Sequence, residues 1–128
     1  VYFSFSQSYL ADRSAAKRAF LDALARRLFP NPLVEVNGSS DVDVAVNRVG
    51  QRLAINLVNT AGPHADKQNP IHDSIPPVGP LTITIRMDQK PARVTLEPGG
   101  TEMVFEHQNG QVKVTLSKLD IHNVVVIE

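Results

Sequence analysis

Phe29-Pro30-Asn31-Pro32-Leu33-Val34-Glu35-Val36 is the stretch at which the chain changes its period. Ahead of it, Ala16, Phe20, Leu21, Leu24 and Leu28 recur at spacings of three and four, which predicts one amphipathic helix. Asp12 or Ser14 can cap that helix, and Pro30 and Pro32 end it, because proline has no N–H and clashes with the preceding turn. Further upstream, Val1, Phe3 and Phe5 alternate with Tyr2, Ser4 and Ser6, the period of a strand with one apolar face. A single strand and a single helix cannot bury both faces of a sheet. Residues 1–32 therefore read as the closing strand and helix of an incomplete α/β unit.

Beyond Pro32 the pattern is β throughout. Val34 and Val36, then Val42, Val44 and Val46, then Leu53, Ile55 and Leu57 alternate with polar residues, and Arg48-Val49-Gly50-Gln51 is the turn between the last two runs. After a polar insert the alternation resumes at Leu81, Ile83, Ile85 and Met87. It continues through Val94 and Leu96, Met103 and Phe105, Val112, Val114 and Leu116, and Val124 to Ile127. Glu97-Pro98-Gly99-Gly100 and Gln108-Asn109-Gly110-Gln111 are explicit turns, the second carrying the Asn-Gly pair of a type I′ hairpin. Seven or eight short strands at this spacing predict a mainly β fold, an immunoglobulin-like antiparallel β-sandwich over residues 33–128.

Composition excludes several classes of chemistry. The 13 Lys and Arg balance the 13 Asp and Glu, so there is no global field to draw in nucleic acid or an anionic membrane. No apolar run approaches the roughly 20 residues of a membrane span, and no basic n-region precedes an apolar h-region at the N-terminus. The absence of cysteine rules out a disulfide framework, a thiolate zinc site and a cysteine nucleophile, and leaves the compartment open. On the helix, Arg13, Lys17, Arg18, Arg26 and Arg27 form a basic side. It reads as a solvated face, with Arg26 and Arg27 near the negative end of the helix dipole.

The insert Asn59 to Pro80 is where chemistry has room, since structureless loops beyond about 12–15 residues are uncommon and often functional. It holds His64, Asp66, His72 and Asp73, ligand types competent for zinc or another divalent ion. Their spacing matches no tight metal motif, and a proline-rich loop at a domain junction more simply wraps a neighbouring domain. Asp41 with Asp43, and Glu97 with Glu106, are imaginable as a glycosidase carboxylate pair, yet they alternate with valines as the water-facing set of strands. No Gly-x-Ser-x-Gly, Gly-x-Gly-x-x-Gly or phosphate-loop pattern occurs. The residues name no catalytic group and no cofactor.

Two stretches carry a resemblance. Val1-Tyr2-Phe3-Ser4-Phe5, Tyr9 and the helix end Ala25-Arg26-Arg27-Leu28-Phe29 resemble the last strand and helix of the amidotransferase-like domain that follows the barrel in certain glycoside hydrolases, the β-galactosidase trimerisation domain being a relative. Arg52-Leu53-Ala54-Ile55-Asn56-Leu57-Val58-Asn59-Thr60 is similar to the first strand of the C-terminal sandwich in those proteins, with Asn56 where a histidine is common. Pro77-Val78-Gly79-Pro80-Leu81-Thr82-Ile83 and Leu119 to Glu128 resemble later parts of that sandwich. The resemblance implies a non-catalytic accessory domain whose partners are upstream domains of the same polypeptide, with the catalytic acids on a barrel that this sequence does not contain. It also allows a homo-oligomer. The alternative is a sandwich that itself binds carbohydrate or protein, disfavoured for sugar because the chain has no Trp and both tyrosines, Tyr2 and Tyr9, precede the sandwich.

Overall fold

The computed structural model describes residues 14–62 and 74–128. The expected first strand, Asp12 and Arg13 lie outside the described residues. The chain divides into two compact units, residues 1–32 and 33–128.

In the first unit a single helix, α1 (Ala15–Leu28), is described. The Arg18 N–H donates to the Ser14 carbonyl at 3.0 Å, opening it, and the Phe29 N–H donates to the Ala25 carbonyl at 2.8 Å, closing it one residue before Pro30. Asp22 and Arg26 form an i, i+4 ion pair at 3.1 Å. Both side chains are largely solvated, so that pair adds only a few tenths of a kcal/mol, about 0.3–0.5. No helix residue is fully buried. The expected stripe divides, with Leu21 and Leu24 half-buried and Phe20 and Leu28 exposed.

The second unit is all β. Its strands are β1 (Val34–Asn37), β2 (Val42–Val49), β3 (Arg52–Asn59), β4 (Leu81–Arg86), β5 (Val94–Glu97), β6 (Thr101–Glu102), β7 (Phe105–Gln108), β8 (Gln111–Leu116) and β9 (His122–Ile127). Every pairing is antiparallel, in a four-stranded sheet β1-β4-β8-β7 and a five-stranded sheet β2-β3-β9-β5-β6. The two sheets form a β-sandwich, as the period-two runs predict.

Alternation builds the core. Leu81, Ile83 and Ile85 of β4 stand opposite Leu116, Val114 and Val112 of β8, and all are buried. Across the sandwich Leu53 and Ile55 of β3 stand opposite Ile127 and Val125 of β9, Val94 of β5 flanks Ile127 on its other side, and these residues and Leu57 are also buried. Each such aliphatic side chain contributes about 1.5–3 kcal/mol by leaving water, and the shared face fixes register, since a one-residue slip would turn the set outward.

Three two-sided turns set the hairpins. Asn109 (φ +52°) and Gly110 (φ +69°) both take positive φ between Gln108 and Gln111, the requirement of a type I′ turn. Gly50 turns β2 into β3, and the Glu97 carboxylate accepts the Gly100 N–H at 2.9 Å, closing the turn from β5 to β6. The run around Met103 and Phe105, expected as one strand, is instead two. Thr101–Glu102 pairs with β5 in one sheet, and Phe105–Gln108 pairs with β8 in the other. Met103 and Phe105 both pack against the core while Val104 between them is 94% exposed, because the chain crosses from sheet to sheet there.

Glycine is required where crossings touch. A Cβ on Gly38 (φ +117°) would run into the Pro80 carbonyl oxygen, whereas one on Gly50 (φ +61°) would meet open space. Gly38→Ala is therefore expected to lower unfolding stability by about 2–4 kcal/mol, and Gly50→Ala by only about 1 kcal/mol, in urea titrations of the two variants.

Candidate functional site

The most highly organised polar group is at one end of the sandwich, where three sheet-to-sheet crossings converge. These are residues 38–41 between β1 and β2, 60–80 between β3 and β4, and 117–121 between β8 and β9. The Thr60 N–H donates to the Asp41 carbonyl at 2.9 Å, and Val78 and Leu119 exchange two backbone bonds at 3.0 and 2.8 Å. A Cβ on Gly79 would press on the Ser117 carbonyl, so those two crossings lie backbone against backbone.

Asn59 stands among them, only 6% exposed. Its Nδ2 donates to the carbonyls of Asp120 at 2.7 Å and Pro76 at 2.8 Å, with a longer contact to Leu119 at 3.4 Å. Its Oδ1 accepts the Ala61 N–H at 2.8 Å, and its own N–H donates to the Ile121 carbonyl at 2.9 Å. One side chain thus satisfies both polarities of the amide and pins both ends of the insert, Ala61 on one side and Pro76 on the other. Gly62 confirms the closure, since a Cβ there would meet the Pro76 ring at 2.9 Å. The signal was available in the sequence: Asn59 falls in phase with Leu53, Ile55 and Leu57, and an amide at a core-facing position must find partners.

His64, Asp66, His72 and Asp73, the candidate metal ligands, lie outside the described residues. Among the described residues no group of three or more His, Asp or Glu is arranged to hold a metal ion. The carboxylates weighed as a catalytic pair are separated in role. The Asp41 N–H donates to the Ser39 hydroxyl at 3.0 Å within the β1–β2 crossing, and the Glu97 carboxylate closes its own turn. Asp43 lies opposite Val58, and Glu106 opposite Lys113 on the other sheet.

An open groove of about 550 Å³ lies beside the β6–β7 crossing. It forms because β7 begins at Phe105 opposite Val114, so Thr115 and Leu116 of β8 have no β7 residue beside them. Leu96, Met103 and Leu116 floor the groove, and Glu102, Glu106 and Lys113 rim it. It contains neither histidine nor cysteine and so offers no neutral base for nucleophilic chemistry. Phe105 is the one Phe, Tyr or Trp of residues 33–128, and the Lys90 ammonium sits 5.9 Å above its ring. A single half-buried ring with a cation beside it is a poor platform for stacking a pyranose.

The outer faces of the two sheets differ. On the four-stranded sheet Thr82, Thr84, Arg86, Gln111, Lys113, Thr115, Glu106 and Gln108 point outward, the polar face expected beside water. On the five-stranded sheet the outward row Asn47, Ala54, Val126 ends against Thr95, itself buried, and runs beside the row Ala45, Asn56, Val124, which ends at Glu97. Val58, on the same face, is 39% exposed. Charge is confined to the margins of this face, where Glu128 bridges Arg52 and Arg93 at 3.1 Å each. An outward sheet face with small and β-branched apolar residues at its centre is suited to packing against protein.

No protein-family model matches the chain, and no curated protein matches it. Among solved structures, the α-L-fucosidase isoenzyme 2 from Paenibacillus thiaminolyticus is similar with a TM-score of 0.74 and 25% identity. The similarity covers 94% of this chain and 19% of that glycoside hydrolase, so the chain spans about a fifth of the neighbour's length.

The Asn59 clamp is directly measurable. Asn59→Ala removes the donor shared by the part-buried carbonyls of Pro76 and Asp120 and is expected to cost about 1–3 kcal/mol, with faster protease cleavage between residues 62 and 76. Asn59→Asp, whose carboxylate would face the same carbonyls with no N–H to offer, is expected to be the more damaging at pH 7 in the same denaturation assay.

Proposed function

We propose that this chain is a non-catalytic accessory region at the C-terminal side of a glycoside hydrolase, bracing the domains that carry the chemistry. The observation that supports this most is the extent of the structural similarity, nearly the whole chain against a fifth of an α-L-fucosidase. A fragment of that proportion corresponds to one part of a multidomain enzyme. In this reading residues 1–32 are the closing strand and helix of an amidotransferase-like domain, and residues 33–128 are the sandwich that follows it.

The described side chains fit the role. They bring together no nucleophile with a base and no ligand set, and the outer face of the five-stranded sheet offers an apolar centre with a charged margin. The upstream domains of the same polypeptide are the proposed occupants of that face and of the pinned insert. As to substrate, the sequence resemblance favours an enzyme of the β-galactosidase type and the solved neighbour favours a fucosidase. Both are glycoside hydrolases, and the bracing role is the same in either.

Two measurements test the reading. An antibody to residues 34–128 should detect a native product several times larger than the 14.0 kDa of this chain, and a product at 14.0 kDa would overturn the proposal. In that full-length protein, Val58→Lys on the outer face of β3 should speed proteolytic release of the sandwich. The same substitution in the 128-residue chain should change its stability by less than about 1 kcal/mol, because Val58 is 39% exposed and stands opposite Asp43.

A further inference from the structure

We propose that the outer edge of β2, which pairs with β3 alone among the described residues, is a self-association site, where β2 of a second copy adds antiparallel and continues the five-stranded sheet across a twofold axis. This goes beyond the bracing role and does not depend on it.

The edge itself is unusual among the four that the sandwich presents. β1 and β7 expose four residues each and β6 two, whereas β2 runs for eight with its register to β3 unbroken from Val42–Asn59 to Val49–Arg52. It carries no bulge, proline or lysine, and its two charged residues, Asp43 and Arg48, stand toward its two ends rather than at its centre. A long edge of this kind presents backbone N–H and C=O groups at every second residue, directed away from β3 toward another strand.

The side chains add direction. Val46 shares a face with Ile55, which is fully buried, yet Val46 is 40% exposed and does not join the core as Val42 and Val44 do. The five-stranded sheet overhangs there, leaving an inward-phase valine uncovered. The charge along the edge is polar end to end: Asp41 and Asp43 stand at its start, and Arg48 stands at its finish with Arg52 opposite Val49. Asp43 and Arg48 have no ion-pair partner among the described residues. An antiparallel partner brings the acidic end of one copy beside the basic end of the other, and a parallel one would align like charges.

Face matching narrows the register, because directly opposed residues must point to the same side of the continued sheet. Pairing centred on Ala45 satisfies this. It sets Val44 opposite Val46 of the second copy, covering the exposed valine twice over, and it sets Asp43 opposite Asn47 of the second copy, a carboxylate against an amide donor. The result is an isologous contact in which each copy contributes the same patch. A single strand pair lies below the standard interface size of about 1,200–2,000 Å², so the association is reversible and concentration-dependent.

The test is sedimentation equilibrium of the 128-residue chain over a range from about 5 to 500 µM, spanning the micromolar affinities that contacts of this size give. The weight-average mass should climb from 14.0 kDa toward twice that value. Val46→Lys should hold it at the monomer mass while circular dichroism shows an unchanged β spectrum. Asp43→Lys should weaken association about tenfold, and the double variant Asp43→Lys/Arg48→Asp should restore it, because reversing both ends preserves complementarity only when the partner is the same strand. Should Val46→Lys fail to fold, the charge reversal at exposed positions decides alone. A chain that stays monomeric at the highest concentration, or a dimer indifferent to these β2 substitutions, would overturn the proposal.

Discussion

The closing of the sandwich at one end depends on the amide of Asn59. Three of the connections that carry the chain from sheet to sheet pass that end, and their backbone groups gather around the buried Asn59 side chain. Two short bonds from Nδ2, to Asp120 and Pro76, and one to Oδ1, from Ala61, satisfy the buried amide and hold those part-buried backbone groups in place. The glycines at 38 and 79 complete the same design, letting backbone approach backbone where a side chain would not fit. Hydrophobic burial drives the two sheets together, but it is indifferent to how the crossings are threaded. The directional bonds at Asn59 supply that choice.

The consequence is a rigid base for a long insert. Because Ala61 and Pro76 are both tied to one side chain, the two ends of the insert are held at the same place. The outer face of the five-stranded sheet carries its charges at the margin. The opposite sheet, with threonine, lysine, glutamate and glutamine on its outer face, is dressed for water instead. The two outer faces thus differ in chemistry even though the two inner faces are alike.

Much of this was legible along the chain. Period-two alternation located the strands because each inner face shares one core, and the Asn109-Gly110 pair identified its turn because those residue types tolerate positive φ. Pro30 marked the end of the helix for an equally local reason. The division of the Met103–Phe105 region into two strands was not legible, since both residues obey the period and only the change of sheet between them breaks the pairing. The groove beside it follows from that change and was invisible for the same reason. The expected ligand quartet in the insert falls outside the described residues.

By itself the sequence determined the class of fold, the position of the strands and the lack of a recognisable catalytic motif, because these follow from residue type and spacing over a few neighbours. Tertiary structure alone decided which strands lie side by side. Ala45, Asn56 and Val124 come from three separate segments, and nothing in their spacing announces that they share an outer face. The same holds for the carbonyls of Pro76 and Asp120, which meet on Asn59 only once the sheets are assembled. Surfaces and clamps are long-range juxtapositions, and the pairing order that creates them is set by the packing of the whole core.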